Sequence, residues 1–370
     1  MKNSFNTKII VIVLALAILC AAFAGCNFAN DIPDVVYAQN NSSQTVTIHT
    51  ARQSKYLTAS PTLANTYANG KKEYSKPKSI ILQWDAVNIN ENSNYTVILS
   101  ENSDMSKAIA YSSPTNSVNI INLKIATTYF WQIQNGDYNS EIYQFDVSGD
   151  APRNISVDGV TNVRDLGGWQ TTDGKRVKQG LIYRCGRLNE SSANSPIIEI
   201  TNDGIKTMRD FLSIKSEIDL RENINGEIGG ITSSPLGEGV NYYNLPMEWD
   251  GNIFLDNRQE ILNIFSLFAD ENNYPLIFHC NIGTDRTGMI SFLINALLGV
   301  SEDDLIKDYL FSNLGNIGGT RKKSGITDSP YYKIIQNSQG DDLQEKTFNA
   351  LIDFGIPKWQ LDKIISLLSQ

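Results

Sequence analysis

The chain has 370 residues, 41% of them hydrophobic and 19% charged, with a formal net charge of −9. That length favours two compact domains, and the apolar content excludes disorder throughout. The acidic balance argues against nucleic-acid binding, because a phosphate backbone repels it. Two histidines, His49 and His279, are too few for most catalytic zinc sites.

Lys2 and Lys8 lead into an apolar run over residues 9–24. Sixteen residues are short for a bilayer span and suit the core of an export signal. The run ends in Phe23-Ala24-Gly25-Cys26, which resembles a bacterial lipobox. The expectation is a leader over 1–25, lipid on Cys26, a tether over 26–39, and an exported protein anchored on the outer face of the bacterial cell membrane. Cys185 and Cys280 alone remain in the mature body, so no disulfide framework is expected.

Short β-prone runs follow at 45–49, 78–84, 95–99, 117–121, 128–133 and 142–147, split by Asn, Ser, Gly and Pro. No helical period is evident among them. The segment resembles a fibronectin type III domain through Trp84 and through Leu123 followed by Tyr129, placed like a tyrosine corner. The resemblance implies a β-sandwich over 40–150 that spaces or docks the next domain, with Trp84, Tyr129 and Trp131 packed in its core.

From 151 to 370 strand-like and helix-like segments alternate. Helices are predicted at 204–212, 258–268 and 287–298, with Gly299 as a stop. Ser301 caps another, and Pro357 opens the last at a first-turn position. Strands are predicted at 216–221 and 274–279. Alternation of this kind predicts an α/β domain with a mainly parallel sheet flanked by helices.

The chemistry concentrates in His279-Cys280-Asn281-Ile282-Gly283-Thr284-Asp285-Arg286-Thr287-Gly288. A loop from a buried strand into a helix turns successive N–H groups inward and adds the helix N-terminal potential, which makes an anion cradle. Asn281 through Arg286 are therefore expected to bind phosphate, with Arg286 offering a planar fork. The same field favours Cys280 as thiolate, the nucleophilic form. Gly283 lets the backbone bend close to the ligand. His279 belongs to the strand and supports the loop, while Thr287 stabilises the thiolate.

Asn162-Val163-Arg164-Asp165-Leu166-Gly167-Gly168, Tyr183-Arg184-Cys185-Gly186-Arg187-Leu188, Ile218-Asp219-Leu220-Arg221 and the loop itself together resemble the cysteine-dependent bacterial tyrosine phosphatases over about 154–370. The resemblance implies phosphomonoester hydrolysis without metal or cofactor, on phosphorylated proteins or small phosphomonoesters. It implies a general acid inside the loop at Asp285, with Asp250 after Trp249 as the alternative. Thr284 stands where the family usually carries Lys, which lowers the expectation of phosphoinositide activity. Arg164 and Asp165, read as a charged pair, are a structural turn or a border of the pocket. Arg184 or Arg187 could face the anion. Cys185 is read as buried, with a protective disulfide to Cys280 as the alternative. Hydrolysis of phosphotyrosine is the leading expectation, with a phosphoinositide or small-phosphomonoester phosphatase, or a catalytically weak phosphate-binding surface module, as the alternatives. A Cys–His dyad is disfavoured because His49 lies in the other half and His279 adjoins the cysteine. The basic run Arg321-Lys322-Lys323 is a solvated loop or a lid.

Overall fold

A computed structural model describes residues 32–38, 43–59, 64–85, 94–189, 199–224 and 226–370. The export leader and Cys26 lie outside the described residues, as does half of the expected 26–39 tether, whose described part carries a strand instead. In the first unit, β1 (Asp34–Tyr37), β2 (Gln44–Val46), α1 (Ala51–Thr58) and α2 (Ala64–Tyr67) precede the remaining strands. These are β3 (Ile80–Gln83), β4 (Tyr95–Ser100), β5 (Ile109–Ser113), β6 (Ser117–Ile120), β7 (Thr127–Asn135), β8 (Tyr138–Asn139) and β9 (Tyr143–Val147). One sheet runs β1-β3-β6. The other runs β2-β9-β7-β4-β5, with β8 paired to β7.

Strict alternation sets the inward face of each strand. Tyr129, Trp131 and Ile133 on β7 are buried while their neighbours are not. They meet Val97, Leu99 and Phe145 of the same sheet and Val36, Ile80, Leu82 and Ile120 of the other, so both sheets share one core. The Tyr129 hydroxyl accepts the Lys124 N–H at 2.8 Å, and Trp84 packs edge-on against Tyr95.

Two helices interrupt what the sequence suggested was all strand. α1 begins with a capping box: Thr50 Oγ1 accepts the Gln53 N–H, and Gln53 Oε1 accepts the Thr50 N–H. It and the chain that follows leave the first unit, since Tyr56 and Ala68 belong to the core of the second.

The second unit contains β10 (Arg164–Asp165), β11 (Ile182–Cys185), α3 (Asn202–Lys206), β12 (Ser216–Asp219), β13 (Asn241–Asn244), α4 (Arg258–Ala269) and β14 (Leu276–His279). Then come α5 (Arg286–Leu297), α6 (Glu302–Phe311), α7 (Ser324–Thr327), α8 (Pro330–Asn337), α9 (Leu343–Phe354) and α10 (Lys358–Leu368). Pro357 is the residue before α10 rather than its first turn. The sheet order is β10-β11-β14-β12-β13. It is mixed, not mainly parallel as expected: β10 runs antiparallel to β11, while the other three pairs are parallel. The chain from Asp165 to Ile182 carries no helix and brings β10 and β11 together as an antiparallel pair.

β14 sits in the middle with every residue buried. Leu276 and Phe278 face the core under α4 and α5, and Ile277 faces the core of Tyr183 and Cys185. α5 is buried on all sides, as a helix wedged between the sheet and α9 must be. The C-terminal end of β14 and the N-terminus of α5 are thus rigidly held, and the loop between them inherits that rigidity.

Candidate active site

Residues 280–285 join β14 to α5 in a tight wrap. Gly283 adopts φ +69°, and a Cβ there would sit 2.2 Å from the Cys185 carbonyl oxygen. Only glycine fits both the left-handed backbone and that approach. The loop's carbonyls are tied down from behind. Gly283 O accepts from Asn162 Nδ2 at 3.0 Å and from Arg184 Nη2 at 2.7 Å, and Ile282 O accepts from Asn162 Nδ2 at 3.3 Å. Among the described residues, no hydrogen bond uses the N–H groups of Asn281 through Asp285. Backbone donors left unpaired at a helix N-terminus form an anion site.

Cys280 lies on the floor, 2% exposed. Burial alone would push its thiol up. Arg286, with the Thr287 hydroxyl and N–H close by, outweighs burial and lowers it below its ordinary value. Arg286 is held by Glu227, which binds both terminal nitrogens, and by the carbonyls of Leu220 at 3.1 Å and Met247 at 2.9 Å. Burial would lower the guanidinium's pKa, and the Cys280 thiolate and Glu227 reverse that.

A second layer fixes the loop. Arg164 donates to Asn162 Oδ1 at 2.6 Å and pairs with Asp308 at 2.7 Å. Arg184 pairs with the same carboxylate at 2.7 Å. Asp308 therefore joins two guanidiniums, one gripping Gly283 directly and the other through Asn162. The expected Arg164–Asp165 ion pair does not form, because β10 points the two side chains oppositely. Asp165 binds Arg153 at 2.8 Å and the N–H groups of Gly167 and Gly180. Arg164, Asp165 and Arg184 are all fully buried behind the loop rather than lining the pocket. Arg187 contacts Asn281 Oδ1 at 3.1 Å.

His279 turns away from the cradle, with Nε2 2.9 Å from Glu217 and Nδ1 3.2 Å from the Cys280 carbonyl. Burial would lower its pKa, but Asp219 and Glu217 raise it. Glu217, Asp219 and His279 are residue types that bind metals. Their oxygens are already taken by His279, Ser234, Arg221 and Tyr242, so hydrogen bonding accounts for the trio. Cys185 and Cys280 belong to cores on opposite faces of the sheet, which favours simple burial of Cys185 over the disulfide.

Asp285, at the start of α5, makes a two-pronged ion pair with Arg321, at 3.0 and 2.9 Å. Thr284 is fully buried and donates to Ile282 O at 3.4 Å. A cation thus reaches this corner from Arg321 rather than from position 284. Asp250 is exposed on the loop after Met247, whose carbonyl binds Arg286. Sequence reasoning missed Glu227, Asp308 and Asn313, and read Arg321 only as part of a basic run forming a solvated loop or a lid. The partners of Glu227, Asp308 and Arg321 lie tens of residues away, that of Asn313 eight, and only the basic run at 321–323 offered any signal.

A family model described as the tyrosine phosphatase family matches residues 155–338. A Cupriavidus necator protein assigned by name to the tyrosine-protein phosphatases is 30% identical over 176 residues, covering 44% of this chain and 64% of that protein. A tyrosine-protein phosphatase of Nostoc commune is 26% identical over 165 residues, covering 43% and 49%. The chain thus spans about half to two thirds of the length of these curated relatives. Among solved structures, the core catalytic domain of the PP-IP phosphatase SIW14 from S. cerevisiae is 17% identical, with 48% of this chain and 93% of that chain covered and a TM-score of 0.29. P. aeruginosa TpbA in complex with pTyr is 14% identical, with 48% and 90% covered and a TM-score of 0.29. The loop and the motif order read from the sequence fall inside residues 155–338, the part of the chain that resembles the tyrosine phosphatase family.

Proposed function

We propose that this protein is a phosphoric monoester hydrolase acting on phosphotyrosine in proteins. The observation that carries this is Cys280: a buried thiol shifted toward thiolate, under unpaired loop amides and beside Arg286. The thiolate attacks phosphorus in line, the ester oxygen leaves, and a thiophosphoryl enzyme forms. Arg286 and the amides of Asn281 through Asp285 hold the equatorial oxygens as charge shifts. Thr287 stabilises the sulfur as it becomes the leaving group. Water then attacks phosphorus, returning phosphate and the thiolate. No cofactor or metal takes part.

A carboxylic acid must protonate the departing phenolate. Asp285 is the first assignment. Its ion pair with Arg321 favours a second reading, because that contact occupies both carboxylate oxygens and holds them away from a leaving group. Asp250 carries no such partner among the described residues. Asp285→Asn and Asp250→Asn separate the two. Loss of the true acid slows phenyl phosphate far more than p-nitrophenyl phosphate, whose leaving group needs no proton. Equal slowing in both variants would refute the assignment to either.

The two-sheet unit serves as a fibronectin type III-like spacer, and lipid on Cys26 would hold the enzyme at the outer face of the membrane. Radiolabelled palmitate incorporated into wild type and absent from Cys26→Ser supports this. Equal labelling of both would refute it.

A further inference from the structure

Between β2 and β3 the chain leaves its own sheets and crosses the phosphatase unit. Gly70 donates its N–H to Asn313 O at 2.8 Å, and its carbonyl accepts the Ile317 N–H at 2.9 Å. Thr320 Oγ1 donates to Asn69 O at 3.0 Å, and Asn154 Nδ2 to Ser75 O at 2.6 Å. Gly70 has φ +72°, and a Cβ there would fall 2.2 Å from Gly319 O, so the fit is close. The Glu73 carboxylate accepts from the Thr161 hydroxyl and from the Asn316 N–H at 3.3 Å.

Both contact points lead to the catalytic loop. Thr161 adjoins Asn162, whose amide holds the Gly283 and Ile282 carbonyls. Asn313 clamps the Arg321 backbone from both sides, at 2.9 and 2.6 Å, and Arg321 pairs with Asp285. We propose that residues 69–76 are a positioning strap for the active site, with Glu73 its principal positioning residue, so that catalytic geometry depends on a segment outside the matched 155–338 region. The inference rests on the phosphatase reading for its activity arm alone.

A displacement of about 1 Å in a catalytic loop costs roughly 100-fold in rate. Glu73→Ala and Thr161→Val in the full chain are therefore expected to lower kcat/KM for p-nitrophenyl phosphate by about 10- to 100-fold, mostly in kcat. Thr161→Ser keeps the hydroxyl and is expected within about twofold of wild type. A merely structural role would not move the thiolate. The second readout is thus the pH midpoint of iodoacetamide alkylation, followed on the Cys280 peptide by mass spectrometry. It should rise in Glu73→Ala and Thr161→Val and stay put in Thr161→Ser and in a distant control, Tyr138→Ser on β8. If Glu73→Ala fails to fold, Glu73→Gln carries the same test. Kinetics and alkylation midpoints unchanged in Thr161→Val and Glu73→Gln would overturn the proposal. A wild type without phosphatase activity would sink the functional reading, while the alkylation shifts would still decide on the strap.

Discussion

Gly283→Ala is the sharpest single probe of the cradle. The added Cβ would lie 2.2 Å from Cys185 O, 2.4 Å from Cys185 C and 2.7 Å from Gly186 N, all backbone atoms of a central strand and the residue after it. Clearing 3.0 Å from that oxygen requires about 0.8 Å of movement, and β11 is locked between β10 and β14. The loop must therefore yield. It cannot yield freely, because Asn162 and Arg184 hold the Gly283 carbonyl. The positive φ adds about 1–2 kcal/mol of its own. Stability should fall by about 2–3 kcal/mol in all. Misplacing the amides by nearly an ångström should cut kcat/KM on p-nitrophenyl phosphate about 100-fold. Steady-state kinetics and a thermal melt read both. A variant within threefold of wild type and with the same Tm would show that the approach to Cys185 does not shape the cradle.

Thr287→Val removes a hydroxyl that helps lower the Cys280 thiol, so the pH midpoint of alkylation should move up toward the ordinary thiol range. An unmoved midpoint would assign the shift to Arg286 and the backbone N–H at position 287. Burial would raise the Asp308 carboxyl, but Arg164 and Arg184 outweigh burial and hold it below its usual value. Its contribution to stability is therefore present above the unfolded carboxylate range and is lost as pH falls through the folded value. Asp308→Asn should cost about 3 kcal/mol at neutral pH, by leaving two buried guanidiniums short of charge, and should flatten the acid limb of a stability–pH curve. Peptide mapping after peroxide treatment should find no Cys185–Cys280 bridge, since the two thiols face opposite cores.

The heart of the site was legible because its parts are contiguous: strand, loop and helix follow one another from Leu276 to Leu297. The proposed nucleophile Cys280, the proposed phosphate fork Arg286 and the bend at Gly283 are local consequences of that order. What holds them is not local. Glu227 grips Arg286 across 59 positions, Asn162 reaches Gly283 across 121, and Asn316 reaches Glu73 across 243. No spacing rule predicts such pairs. α1 went unread because it buries little, its inward residues being Gln53 and Tyr56, yet Thr50 and Gln53 carried a capping-box signal. β10 is two residues long, too short for a periodic pattern, so the antiparallel edge was hidden.

The central claim is that the Cys280 sulfur takes up phosphate from a phosphomonoester. Rapid acid quench of the enzyme with a ³²P-phosphotyrosyl peptide, followed by digestion and mass spectrometry, tests it directly. The account predicts label on the peptide containing Cys280, lost in Cys280→Ser together with turnover. Turnover without any label there, and undiminished in Cys280→Ser, would contradict it.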